Sequence, residues 1–207
     1  MITSIFFVLL SLIPFYLIGT FPTGYLIAKG AGIDISTKGS GNVGATNVAR
    51  ALGKKAGIIT LGVDIFKGVL AVTIAKWIGA AEWFPSLVAA TVVCGHCFSL
   101  PPYLKGGKGV ATSLGAVSAL DPLVALCAVL LFAALFLWKK IVSLASVTAA
   151  LGAPIAAFIL ERPEAVSAAL AVISLIIIYR HKANLDRISK GIEPRMGVSS
   201  AGTNSRV

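Results

Sequence analysis

The sequence predicts an all-α, polytopic membrane protein, and three observations carry that prediction. Of the 207 residues, 57% are hydrophobic and only 13% are charged, where soluble domains carry about a quarter charged; mean hydropathy is +0.92. The apolar residues fall into seven runs separated by short polar stretches. The cations are shared unequally between alternate polar stretches, which is how polytopic chains mark their cytoplasmic side. The net charge of +10 therefore reports topology, and no nucleic-acid partner is expected.

The runs cover residues 4–28, 57–75, 85–98, 110–120, 122–138, 144–160 and 165–179. The third and fourth fall short of the roughly 20 residues that a crossing needs, so they are expected to borrow length from neighbouring loops. The first Lys is Lys29, so no charged segment precedes the first run, which is expected to be a retained span and not a cleaved leader. Fifteen of the 18 Lys and Arg lie on one side of this arrangement; Lys76 and Arg162 lie on the other with Glu82, Asp121, Glu161 and Glu164. Seven spans then place the N-terminus outside and the C-terminus in the cytoplasm. Lys67 falls inside the second span one turn from Asp64, a spacing that suits a neutralising pair. Residues 1–188 read as one membrane domain, and the polar residues 189–207 are expected to be a mobile cytoplasmic tail.

Residues 38–50, 105–109, 139–146 and 180–187 are far apart in the chain, yet this topology brings all four to the cytoplasmic face. A single composite site there is the economical expectation. Its centre is Lys38-Gly-Ser-Gly-Asn-Val-Gly-Ala-Thr-Asn-Val-Ala-Arg50. Glycines let the backbone approach a ligand, Ser, Thr and Asn supply hydrogen bonds, and Lys38 and Arg50 supply charge. That mixture suits a phosphate.

Other motifs are weighed against plainer readings. Gly39-x-Gly41-x-x-Gly44 matches the dinucleotide fingerprint, which needs a preceding buried strand and an acid about 20 residues on; here the preceding stretch is short and the acid is Asp64, inside a span. Lys105-Gly-Gly-Lys-Gly-Val-Ala-Thr112 is P-loop-like, but Gly109 replaces the Ser or Thr after the Lys and Pro102 the first Gly. It remains a glycine loop opening an apolar helix, where free N–H groups and the helix dipole favour an anion. Cys94-Gly-His-Cys97 has thiol-exchange spacing but lies in an apolar run without an α/β context, and His96 reads first as a packing residue. His181-x4-Asp186 has the spacing of a base with its orienting acid. On a helix continuing the last run, however, positions five apart point about 140° apart, whereas His181 and Asn184 share a face. Acids on the cationic side are few, so no Mg²⁺ cluster is expected, and no Gly-x-Ser-x-Gly elbow occurs. No metal and no cofactor are expected.

These residues resemble the bacterial acyl-phosphate:glycerol-3-phosphate acyltransferases over nearly the whole chain. The resemblance runs through residues 24–29, 39–50, Asp64 with Lys67-Gly68, Gly95-His96, residues 105–112, Ser143-Leu-Ala-Ser146 and Tyr179-Arg-His181 with Asn184 and Arg187. It implies seven spans in the bacterial inner membrane. The reaction it implies is acyl transfer from acyl phosphate to the 1-hydroxyl of sn-glycerol 3-phosphate, the first acylation of phospholipid synthesis. The lipid bilayer and the enzyme that makes acyl phosphate are the implied partners. Carried onto matching positions, Ser40, Asn47, Arg50, Lys108, His181 and Asn184 are expected to be catalytic. Gly39, Gly41, Asn42, Thr46, Gly106, Gly107, Gly109 and Ser146 are expected to bind substrate or phosphate. The family usually has Glu two residues after the His, where this chain has Ala183, so local packing there is in question.

On this reading Lys108, Arg50 and loop N–H groups hold two phosphates, and Ser40 and Asn47 orient oxygens around the carbonyl. The proton goes either to His181 or to a phosphate oxygen of the donor. The rival classes are an anion transporter or channel, which needs polar groups at mid-membrane, and a thiol oxidoreductase built on Cys94 and Cys97.

Overall fold

The computed structural model describes residues 2–79, 81–99 and 106–196, and among these there are ten α-helices and no strand. Residues 100–105, including Lys105, and 197–207 lie outside the described residues. The helices are α1 (Ile2–Thr20), α2 (Thr23–Gly30), α3 (Ala45–Leu52), α4 (Lys54–Ile78), α5 (Phe84–Cys97), α6 (Val110–Leu120), α7 (Pro122–Lys139), α8 (Val142–Ile159), α9 (Glu164–Arg180) and α10 (Lys182–Ser189).

Every apolar run expected from the sequence is helical, the first of them broken in two at Phe21-Pro22. Four stretches are long and apolar enough to cross a membrane: Phe6–Gly30, Lys54–Ile78, Pro122–Lys139 and Val142–Ile159. Helices α9 and α10, bent by 62° where they meet, make a fifth if taken as one span. Phe7, Leu130, Leu137, Phe158, Ile159 and Leu175 point outward, a surface suited to hydrocarbon. Exposed Trp77 and Trp83 at one end and Trp138 at the other fit the amphipathic belt of a bilayer interface.

The two short helices are explained by register. Gly68 and Gly115 let α4 and α6 touch backbone to backbone: a Cβ on Gly68 would lie 2.2 Å from the Thr112 carbonyl, and one on Gly115 1.9 Å from that of Ile65. Small residues at such crossings are how apolar helices pack without a hydrophobic driving force. The two helices run in parallel, since Lys76 near the end of α4 donates to the Ala119 and Leu120 carbonyls ending α6 (2.6 and 3.1 Å). Helix α6 therefore begins beside the middle of α4, and α5 stops at the same level, with His96 against Lys67 (3.0 Å). At about 1.5 Å per residue, the 25 residues of α4 span about 37 Å, and the 14 and 11 residues of α5 and α6 about 21 and 16 Å. The glycine loop between them is thus set into the bundle.

Helix α1 ends at Thr20, and α2 restarts after Phe21-Pro22. Lys67, buried in α4, donates to the Gly19 and Phe21 carbonyls at this break (3.2 and 3.0 Å) and pairs with Asp64 at 2.9 Å. The intramembrane pair expected from the sequence is present, and it also satisfies the carbonyls of an interrupted helix, which have no partner in hydrocarbon.

Candidate active site

The loop of residues 38–44 is organised from within. Gly39 and Gly41 take φ of +54° and +68°, the left-handed region that disfavours a side chain. Asn47, buried in the first turn of α3, accepts from the Ser40 N–H through Oδ1 (2.9 Å) and donates through Nδ2 to the Lys38 and Asn42 carbonyls (both 2.9 Å). The Asn42 side chain accepts from the Gly44 N–H (2.7 Å). Thr46 and exposed Arg50 lie on α3, and exposed Ser40 lies on the loop. The Asn47 amide is thus engaged with its own loop and presents Ser40.

The second loop, 106–109, is held from below and above. The Gly107 N–H donates to the His96 carbonyl (3.0 Å). Arg180, at the end of α9, donates to the Gly107 and Gly106 carbonyls (3.0 and 2.6 Å). With both carbonyls engaged, the first-turn N–H groups of α6 are left without helical partners, and Gly109 at φ +83° turns the chain into that helix.

Lys108 joins this loop to the C-terminal segment. Its ammonium donates to Asn184 Oδ1. Asn184, buried in α10, donates in turn to Glu193 Oε1 (2.6 Å). The same oxygen accepts from Ser143 Oγ (2.7 Å), and Oε2 pairs with Arg187 (2.6 Å). The Met196 N–H donates to the Lys140 carbonyl (2.8 Å). The described part of the expected tail is therefore tied across the site. Glu193 and Ser143 carry more of the site than the sequence indicated. The signal for Ser143 was its place beside Ser146; Glu193 had none beyond being one of few acids on this side. Ser146 itself donates to the Val142 carbonyl of its own helix (2.9 Å).

Burial pushes the Lys108 amine down to about 8; the Glu193 charge opposes this, while Arg187, Arg50 and Arg180 add to it. Burial would raise the Glu193 carboxyl, but hydrogen bonds from Ser143, Asn184 and Arg187 outweigh it and hold the group below its usual value. His181, buried at the bend between α9 and α10, is brought down to about 4, chiefly by burial, and the neighbouring Lys108 and Arg180 add to the lowering. Its Nδ1 meets the Ile177 carbonyl at 2.8 Å, so the proton of the neutral ring resides there and Nε2 keeps its lone pair. The His181–Asp186 dyad does not form: Asp186 is exposed and pairs with Lys190 (2.9 Å). Ala183 is exposed beside buried Asn184, so a small residue costs no packing there. The dinucleotide reading fails because a helix and turn, not a strand, precede the glycines.

A composite cationic site joins residues more than 70 apart in sequence. The family model described as glycerol-3-phosphate acyltransferase matches residues 9–191. The chain belongs to the glycerol-3-phosphate acyltransferase family. Relatives of that name include one from Aquifex aeolicus, 45% identical over 181 residues (87% of this chain and 94% of that one), and one from Thermus thermophilus, 40% identical over 182 residues (88% and 92%). The fold matches the crystal structure of PlsY (YgiH), an integral membrane glycerol 3-phosphate acyltransferase. For its glycerol 3-phosphate form the TM-score is 0.86 and the identity 43%, over 92% of this chain and 96% of that one. For its lysophosphatidic acid form the TM-score is 0.84 over 92% and 95%. The chain is therefore a membrane acyltransferase of phospholipid biosynthesis, and the transporter and thiol-exchange readings fall away. Cys94, Cys97 and Cys127 are free thiols.

Proposed function

We propose that the enzyme transfers a fatty acyl group from acyl phosphate to the 1-hydroxyl of sn-glycerol 3-phosphate, giving 1-acylglycerol 3-phosphate and inorganic phosphate. The observation that supports it most is the chain of contacts Gly106/Gly107–Arg180 and Lys108–Asn184–Glu193–Ser143, which gathers three distant segments around cations and loop N–H groups. Two phosphorylated substrates need such a seat. An acyl phosphate needs little else, since phosphate leaves readily and the task is positioning and charge stabilisation.

Lys108 and Arg50, with the N–H groups opening α6 and the loop glycines Gly39, Gly41, Gly106, Gly107 and Gly109, hold the phosphates. Ser40 contacts substrate. Asn47 and Asn42 set the shape of the first loop, Thr46 lines it, and Asn184 orients the Lys108 ammonium. Ser146 shapes the α8 wall while Ser143 reaches the network. The hydroxyl oxygen forms a bond to the acyl carbon and the carbon–oxygen bond to phosphate breaks. The hydroxyl proton passes to the departing phosphate: a phosphate with a second pKa of about 6 is a better acceptor than an imidazole held near 4. His181 Nε2 accepts a hydrogen bond from the 2-hydroxyl of glycerol 3-phosphate and so aims the neighbouring 1-hydroxyl.

The bundle crosses the bacterial inner membrane in seven spans, α5 and α6 completed by their loops, with the N-terminus outside and this site in the cytoplasm. There it can receive acyl phosphate from the enzyme that makes it. The test supplies purified protein with glycerol 3-phosphate and palmitoyl phosphate, palmitoyl-CoA or palmitoyl carrier protein, and measures lysophosphatidate. Product from acyl phosphate alone is expected; product from the thioesters but not from acyl phosphate overturns the donor assignment. Labelling that places the loops around Ser40 and Lys108 on opposite faces of the bilayer overturns the topology.

A further inference from the structure

Behind the glycine loop, at the break between α1 and α2, lies a cavity of about 260 Å³ bounded by Thr23, Gly41, Asp64, His96, Gly106 and Gly107, among others. His96 forms part of its wall and is 9% exposed. The Lys67 ammonium has around it Asp64 Oδ1 (2.9 Å), His96 Nδ1 (3.0 Å) and the Phe21 and Gly19 carbonyls (3.0 and 3.2 Å). A charged ammonium beside a carboxylate can only donate. His96 Nδ1 is therefore the acceptor, and the proton of the ring sits on Nε2.

That edge of the ring packs against Gly107: a Cβ there would lie 2.1 Å from Nε2, so only glycine fits beside the ring where it meets the cavity. Among the described residues Nε2–H has no acceptor, and the ring borders the cavity, so a ligand oxygen there can take the bond. The chemistry of the cavity narrows what that ligand atom is. Among the described residues no Lys or Arg lines it, while Asp34 and Asp64 do. The cation nearest the cavity among the described residues, Lys67, is already engaged with Asp64, so little there draws a phosphate; an uncharged oxygen that gains charge only during reaction fits.

We propose that His96 is a catalytic residue whose Nε2–H donates to the carbonyl oxygen of the acyl phosphate, with Lys67 and Asp64 as positioning residues that hold the donor tautomer. The inference rests on the acyl-phosphate reading above. As the glycerol hydroxyl adds to the acyl carbon, negative charge grows on that oxygen, and a neutral donor fixed in a water-poor site is at its most effective there. Gly107 serves twice: its loop seats the phosphate on one side, and its missing side chain leaves the His96 edge open to the cavity on the other.

The test uses the full-length enzyme and a palmitoyl phosphonate, ¹³C-labelled at the carbonyl, in which a methylene replaces the bridging oxygen. Its carbonyl infrared band is read bound and free. Wild type is expected to lower the band frequency on binding, His96→Phe to return it to the free value, and His96→Gln, which keeps a donor, to restore part of the shift. In turnover, His96→Phe should lose about 100-fold in kcat with KM for acyl phosphate little changed. Lys67→Met, which releases the tautomer, should weaken the shift with His96 still present. A bound phosphonate whose band ignores His96, or a His96→Phe enzyme within threefold of wild-type kcat, overturns the inference. An unchanged band in Lys67→Met overturns the positioning role. Failure of the phosphonate to bind wild type at all overturns the acyl-phosphate reading, and this inference with it.

Discussion

At the end of the bundle that carries Lys76, Asp121 and Arg162, each of these charges closes a structural gap. Lys76 caps the last carbonyls of α6. Asp121 accepts from the Leu123 and Val124 N–H groups that open α7 (both 3.0 Å) and pairs with Arg162 at 2.7 Å. At the end that carries Lys108, Arg180 and Arg187, the same residue types are arranged around loops. Arg180 is used up holding glycine carbonyls, Glu193 is shared among three donors, and among the described residues Lys108 donates directly to the neutral amide of Asn184 alone. Cation count alone therefore does not mark a site. What marks it is a cation whose direct partner is a neutral amide, held by neighbours whose own groups are satisfied.

The comparison can be broken most directly at the two lysines. Lys108→Met is expected to lower kcat/KM by at least about 1000-fold, in line with loss of a positioned charge on a phosphoryl group. Lys76→Met should stay within threefold, and an equal loss in both would erase the distinction. Next in size is Glu193→Gln, expected to cost about 10- to 100-fold because Arg187 and Asn184 lose the carboxylate that aligns them.

The pH profile sharpens the same point. Lys108 holds its proton below about 8, so kcat/KM of the free enzyme should fall as pH rises through that value. Because the Glu193 charge raises the Lys108 pKa, Glu193→Gln should move this alkaline limb to lower pH. Lys108→Arg, always protonated, should remove it. A smaller loss, about tenfold, is expected for Gly107→Ala, whose added Cβ meets His96 Nε2; Gly62→Ala, with open space around it, should keep full activity. The smallest effect belongs to the opposite end. Asp121→Asn should leave kcat unchanged and lower Tm by about 2–4 °C, as expected for weakening a helix cap and a partly buried pair.

Much of this was legible in the chain. Apolar runs longer than any soluble helix needs, glycines before α3 and α6 and the one-sided Lys and Arg all act locally or through the bilayer, so their consequences follow from order along the sequence. The helices, the Asp64–Lys67 pair and the meeting of residues 106–109, 139–146 and 180–187 follow from them. Tertiary structure alone decided which atoms face which. Asn47 turns its amide into its own loop, Ser146 bonds back along its helix while Ser143 looks across, Glu193 returns from the tail, and Lys67 selects the tautomer of His96. Each depends on a rotation about one helix axis or a contact between segments distant in the chain, and neither spacing nor composition encodes a rotation.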